Sequence, residues 1–462
     1  MLLVRFRQKI GPFLQPNPPI LRKAPLMTLV RRLPLLLLAG ILLSIPAAAQ
    51  SAPPAQTPGA APANPPQAYN LPPDQLAKAI ALSRIRNLLD IAGSIWGIAV
   101  LWLLLATRAA AGLEACAQRI SSRRWLQGLL FFAAFFIVTT LAGLPFDLYG
   151  QHVERSYQIS VQSWASWFGD QGKGLALALA LGTPVLLLFN WIVRKWPRRY
   201  WFGAWLATLP ILVLGIFVAP LIGPMFDKFE PLSKNHPALV QELEKIVART
   251  GTHIPPDRMF LMQASAKTNG LNAYVTGIGA TKRIVVWDTT AGRVPDDEIL
   301  FIFGHETGHY VLHHIPKGLA ISAIGLFFIY WACSAFAAWL IRCSGSRWRA
   351  PDLTSRTGFV VLLFTITVVG FLLEPVSNAV SRHFEHQADV YGQEAIHAIV
   401  PDPQQTAVAA FNDLGKAWLD DPNPNPFIEF WLYNHPSTQN RANFALHYNP
   451  WANGGHGEFF AK

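Results

Sequence analysis

The stretch PDDEILFIFGHETGHYVLHHIPKGLAISAIGLFFIYWACSAFAAWLI, Pro295–Ile341, joins an HExxH pattern directly to a long apolar run. Its first part reads as a helix start, with a proline early and Asp296, Asp297 and Glu298 in the first turn. On that helix His305 and His309 are four residues apart and share a face, so both imidazoles can bind one zinc ion. Glu306 is then placed to activate water at the metal. The second part, Gly318–Ile341, is long enough to cross a bilayer of ~30 Å. A metal-binding helix thus runs into a membrane segment, and that juxtaposition sets the frame for the rest of the chain.

Working outward, five more apolar runs have the same character: Leu88–Thr107, Leu126–Leu144, Leu175–Val193, Trp201–Ile222 and Gly358–Val376. The 462 residues are 52% hydrophobic and only 14% charged, with 16 Trp and 29 Phe. Soluble domains carry about 25% charged residues, so this composition excludes an ordinary soluble enzyme. The expected class is a mainly α, polytopic membrane protein, with six or seven transmembrane helices and a small α+β zincin-like catalytic domain.

The possible seventh helix is N-terminal. Arg5, Arg7, Lys9, Arg22, Lys23, Arg31 and Arg32 precede the apolar Leu33–Ile45, and Pro46 and Ala47–Gln50 follow. That is the layout of a signal peptide or an uncleaved signal anchor over 1–49. A Pro/Ala-rich linker is expected over 50–80, too poor in large apolar residues to fold.

The net charge of +11 is a topology signal. Basic residues concentrate in three short loops: Arg108, Arg119, Arg123 and Arg124; Arg194, Lys195, Arg198 and Arg199; Arg342, Arg347, Arg349 and Arg356. By the positive-inside rule these loops share the cytoplasmic side. No nucleic-acid partner is expected from this distribution. The orientation puts 223–317 and the tail after Val376 on the extracytoplasmic side of an integral, cytoplasmic or inner membrane protein. Cys116, Cys333 and Cys343 fall in or beside inner-side elements, so no disulfide-linked partner is expected.

The expected organisation is a four-span region over 81–224, an α+β metalloprotease domain over 225–316, a two-span hairpin over 317–380, and an ExxxD helix with a catalytic tail over 381–462. Within the α+β part, Pro237–Thr250 carries a helical stripe stopped by Gly251, and Arg258–Met262, Asn272–Gly277 and Arg283–Trp287 read as strands. An exposed strand beside a zinc ion can take a peptide by strand addition.

A catalytic zinc needs three protein ligands and an open position. The third candidate is Glu385 in Ser381–Asp389, with Asp389 one turn further on the same face. Two spans separate His309 from Glu385, and two crossings return the chain to the side it left. His313, His314, His383 and His386 crowd the region as supporting or incidental residues. Glu374, beside Pro375, is an acid at membrane depth, suited to a chamber wall or a buried pair.

The motifs Asn272-Ala273-Tyr274, HETGHYVLHH (305–314), SRHFEHQAD (381–389) and His435-Pro436-Ser437, in this order, make the chain resemble the type I CAAX prenyl protease family between about Leu88 and Arg441. That resemblance implies a membrane zinc metalloendopeptidase holding one Zn(2+). It implies His305, His309 and Glu385 as metal ligands and Glu306 as general base. Asp389 would orient a ligand histidine or donate a proton, His435 and Arg441 would stabilise the tetrahedral intermediate, and Asn272 and Ala273 would bind substrate backbone. The implied partners are a peptide or membrane-protein substrate and the lipid bilayer. Two other readings are a heat-shock-type membrane quality-control metalloprotease, and a zinc-containing transporter or scaffold without protease activity. Against the last, a structural zinc usually has a fourth protein ligand, often cysteine, and no cysteine is near.

Overall fold

The computed structural model describes residues 68–277 and 279–460. The signal-like segment 1–49 and most of the 50–80 linker lie outside them. The linker as read from sequence ends too late. Helix α1, Pro73–Ala106, begins at Pro73, where Pro at the first helical turn and the helix-prone Asp74–Ala81 outweigh the proline richness upstream.

The order continues with α2 (Ala109–Ile120), α3 (Arg124–Ser156), α4 (Trp164–Leu177), a π-turn at Ala178–Gly182, α5 (Thr183–Lys195) and α6 (Tyr200–Phe226). Then come β1 (Phe229–Pro231), α7 (Pro237–Thr250), β2 (Met259–Met262), β3 (Ala273–Thr276), β4 (Arg283–Trp287), α8 (Asp288–Ala291) and α9 (Asp296–Val311). The chain finishes with α10 (His314–Trp348), α11 (Arg356–Ile396), α12 (Pro403–Trp418), α13 (Pro426–Leu432) and α14 (Thr438–His447).

Among the described residues six segments are long and apolar enough to span a membrane: α1, α3, the α4–α5 pair, α6, α10 and α11. Large apolar side chains point outward along them, including Leu214 and Leu221 on α6 and Ile324 and Phe328 on α10. In water that arrangement would be costly; against lipid tails it costs nothing. The three basic loops converge on one end of the bundle. Arg108 Nε donates to Arg347 O at 2.9 Å, Arg356 Nη2 donates to Arg124 O at 2.8 Å, and Arg194 lines the same cavity as Arg124 and Arg356.

The other end carries the α+β part. Its sheet has the order β1-β2-β4-β3, with β2 and β4 parallel and the outer pairs antiparallel. β1 is absent from the sequence reading, since three residues give no alternation to detect. α7 runs over the expected residues, and Gly251, at φ 66°, ends it in the left-handed region. One core unites α7, the sheet and α9 with the last turn of α11 and the tail helices, through Leu243, Met259, Ile284, Phe301, Ile396 and Phe411. α11 is a single unbroken helix of 41 residues. At 1.5 Å per residue it is about 60 Å long, so it both crosses the membrane and delivers its C-terminal third to the soluble core. The boundary expected at 380/381 therefore falls inside one element.

Candidate active site

The site is built where α9 crosses α11. Glycines set the distance: a Cβ on Gly392 would lie 2.8 Å from His305 N, and one on Gly304 would lie 3.1 Å from Gly392 O. Without side chains at those positions the two backbones approach closely, and the HExxH face of α9 meets the ExxxD face of α11.

His305 Nε2 and His309 Nε2 stand 3.2 Å apart. Glu385 Oε2 is 3.3 Å from His305 Nε2, and Glu385 Oε1 is 3.6 Å from His309 Nε2. A tetrahedral ion with arms of roughly 2.0–2.1 Å separates its ligands by about 3.3 Å, so these three spacings fit such an ion. Among the described residues no other trio of His, Cys, Asp or Glu side chains comes this close together.

Each histidine is held from behind. His305 Nδ1 is 2.9 Å from Asp389 Oδ1. Asp389 in turn receives both edges of Arg441, Nε to Oδ2 at 2.9 Å and Nη2 to Oδ1 at 2.6 Å. On the other side, His314 Nε2 lies 3.0 Å from Gln387 Oε1, and His314 Nδ1 lies 3.1 Å from His309 Nδ1. If His314 donates from Nε2 to the amide oxygen, its Nδ1 accepts from His309 Nδ1–H and leaves the His309 Nε2 lone pair facing Glu385. His314 also stacks on Phe384, ring centroids 4.5 Å apart. His313, at φ 58°, makes the turn between α9 and α10. His383 and His386 pack against Phe384 and Phe444.

The electrostatics ask for a cation. Burial works against a charged His305, but the Asp389 and Glu385 carboxylates prevail and push it up to about 9. Burial, then the neighbouring His305, brings His309 down to about 3, so it is neutral and ready to act as a ligand. A metal ion placed between them would take over the stabilisation that the His305 proton supplies. Burial likewise raises Glu306, which is opposed by His305 and by the Val275 N–H that it accepts at 3.5 Å.

That contact puts Glu306 against β3, one of the two edge strands of the sheet. Asn272 lies at the start of this strand and is exposed, whereas Ala273 is buried, so only the backbone of Ala273 can reach a ligand. His435 Nε2 is 3.2 Å from Glu385 Oε2 on the open side. Arg441 is partly buried, 3.9 Å from Glu385 and packed over the Phe411 ring. All nine residues singled out from sequence are therefore brought to one place, with Arg441 and Asp389 joined as a pair. From sequence, His314 is only a supporting or incidental residue, and Gln387 and Gly392 are not singled out. The His309/His314 spacing across a turn was the available signal for the first.

From Asn272, His435 and Arg441 a cavity of about 530 Å³ runs past Trp418 to Arg86 and Asp90 on α1. Arg86 and Asp90 also line a second cavity of about 590 Å³, with Asp147 and Glu154 of α3 and Trp167 of α4. The site thus opens toward a space among the membrane helices. Glu374 is half-buried, with Asp90 as its electrostatic neighbour.

Comparison with known proteins agrees with this geometry. Residues 233–449 match the model of peptidase family M48, and residues 60–228 match that of the CAAX prenyl protease N-terminal region with five membrane helices. The chain is 34% identical to the metalloprotease YhfN of Bacillus subtilis over 81% of this chain and 86% of that one. It is 29% identical to CAAX prenyl protease 1 of Saccharomyces cerevisiae over 68% of this chain and 71% of that one. The crystal structure of S. mikatae Ste24p superposes with a TM-score of 0.69 at 25% identity, covering 81% of this chain and 91% of that chain. The chain belongs to peptidase family M48, among the membrane-embedded metalloproteases of the CAAX prenyl protease type, a family that implies a metal cofactor.

Proposed function

We propose that this metalloprotease uses one zinc ion held by His305, His309 and Glu385 to cleave peptide segments that add as a strand to β3. The observation that carries the reading is the trio's spacing of 3.2, 3.3 and 3.6 Å beside a free strand edge. Bound there, zinc supplies Lewis acidity, which brings the pKa of water to about 7 and polarises the scissile carbonyl.

The chain's own groups do the rest. The β3 backbone and Asn272 align the substrate as an added strand. Glu306, kept less acidic by burial, takes a proton from water and delivers it to the leaving amine. His435, on the open side of Glu385, is in position to donate a hydrogen bond to the developing oxyanion. Asp389 has both oxygens engaged by Arg441 and one of them by His305, which supports an orienting role over that of proton donor.

For the natural substrate we propose an extracytoplasmic peptide or membrane-protein segment. The support is the clustering of the basic loops at the end of the bundle away from His305, which the positive-inside rule assigns to the cytoplasm. The yeast relative is named for CAAX prenyl proteins; a cytosolic prenylated tail cannot reach a site on the outer face. Cleavage of an unfolded polypeptide by the purified full chain should be abolished by chelator and restored by zinc. Cysteine labelling at Gly223→Cys with an impermeant reagent should occur in whole cells. Chelator-resistant cleavage would reject the zinc reading, and labelling only after lysis would reject the orientation.

A further inference from the structure

The end of the bundle remote from His305 holds a second set of buried polar groups without a task. Arg356, the first residue of α11, is 6% exposed. Its Nη2 donates to Arg124 O and its Nη1 is 3.6 Å from Glu114 Oε1, but its Nε has no acceptor. Asn190 on α5 is 4% exposed, and its Nδ2 also has none. Buried donors left unpaired are rare, because each forfeits its hydration for nothing.

Both residues line two adjoining cavities, which share Arg124, Asn190, Arg194 and Arg356. The larger, about 720 Å³, is otherwise walled by apolar groups such as Trp125, Leu187, Leu188 and Trp191, and the charged residues lining it are all basic, Lys195 included. Gly128 opens the Arg356 edge to this groove: a Cβ there would stand 3.7 Å from Arg356 Nε. The smaller cavity, about 220 Å³, adds Glu114 and Asp352. Their carboxylates are already engaged, Glu114 by the N–H groups of Arg356 and Thr357 and the Thr357 hydroxyl, Asp352 by the N–H groups of Thr354 and Ser355 and the Thr354 hydroxyl. Four cations therefore line the groove against two nearby acids, of which Glu114 pairs with Arg356 and Asp352 with the N–H groups of Thr354 and Ser355.

The groove opens between α3 and α5 where these spans end, and Trp125 and Trp191 are exposed at its rim, as is usual at a membrane–water boundary. We propose that it is a binding site for one anionic phospholipid. The phosphate takes hydrogen bonds from Arg194, Lys195 and the free donors of Arg356 and Asn190, and an acyl chain lies along Leu187, Leu188 and Trp191. Basic pockets between membrane helices recognise phosphorylated headgroups in this way, and guanidinium groups suit the phosphate oxygens. Inorganic phosphate would satisfy the donors and leave the apolar groove unfilled, so the lipid is the fuller match.

The test is native mass spectrometry of the full chain, purified in a neutral detergent and titrated with phosphatidylglycerol, phosphatidylcholine or inorganic phosphate. The site predicts a single phosphatidylglycerol adduct held at least ~10-fold better than phosphatidylcholine. Arg194→Gln/Lys195→Gln removes two exposed charges and should weaken it roughly 30-fold, from about one kcal/mol per basic residue and 1.4 kcal/mol per decade. A charge-matched control at the same end, Arg119→Gln/Arg123→Gln, should change it less than ~3-fold. Unchanged peptide cleavage in detergent would show that both variants are folded. Equal retention of the two lipids, equal losses in the two double variants, or full displacement by equimolar inorganic phosphate would each overturn the site.

Discussion

The two ends of α11 present the same problem, buried charge, and answer it in opposite ways. At the C-terminal end Glu385 and Asp389 face two histidines, and the remaining gap suits a cation. At the N-terminal end Arg356 lies beside Arg124 and Arg194, and the remaining gap suits an anion. One long helix can thus carry an incomplete electrostatic site at each end, because the apolar turns between them need nothing but packing. Phe359–Leu362 supply that packing within the membrane core.

The catalytic end breaks most easily at its proposed ligands. Glu385→Ala should lower zinc content from one per chain to near zero and take proteolysis to background, measured by elemental analysis and peptide cleavage. Asp389→Asn leaves all three ligands in place but loses the orienting charge behind His305. Metal affinity should fall about 10–100-fold in competition with a chelator of known affinity. An affinity unchanged by that substitution would show that His305 needs no orienting partner.

The backbone separates the two ends more finely. Gly392→Ala drives a methyl toward His305 N, which is main chain and cannot rotate aside. We expect a loss of about 1–3 kcal/mol, read from thermal unfolding in detergent, with a parallel loss of metal. At the opposite end Gly128→Ala clashes with the tip of Leu187, at 2.5 Å, and makes ordinary contact with Arg356 Nε at 3.7 Å. A rotamer change relieves the clash for about 0.5–1.5 kcal/mol, so its unfolding temperature should fall less. If the two variants fall equally, close helix approach is not a special demand of the catalytic end.

A smaller effect concerns Glu298 in the first turn of α9. Burial, then Asp413, pushes its carboxyl up to about 7. The folded state therefore holds a proton that the unfolded chain gives up near the ordinary carboxyl value of about 4.3. The stability linked to it is complete below that value and is lost as pH rises through about 7. Glu298→Gln should raise the unfolding temperature at pH 8 and leave it unchanged near pH 4; a rise of the same size at both would place the cause in packing instead of titration.

Much of this was legible from residue order. The spans, the HExxH helix and Glu385 announce themselves by apolar run length, by helical spacing and by the even number of crossings between His309 and Glu385. Strands β2, β3 and β4 were visible as short β-prone runs between breakers. What escaped were features made only by tertiary contact. β1 is too short to show a pattern, Arg441 finds Asp389 from 52 positions away, and His314 acts through Gln387, 73 positions on. Gly392 looks like any helical glycine until α9 is laid across it. The basic loops were read as a marker of orientation, and nothing in their spacing disclosed that Arg356 would keep an unused donor beside an apolar groove.

In the proposed mechanism His305, His309 and Glu385 hold zinc while Glu306 moves the proton. Glu306→Gln keeps the size of the side chain and removes the base. The purified variant should bind one zinc per chain, as the unmodified protein does, and cleave peptide about 10²–10⁴-fold more slowly. Cleavage at the original rate with zinc still bound would contradict it.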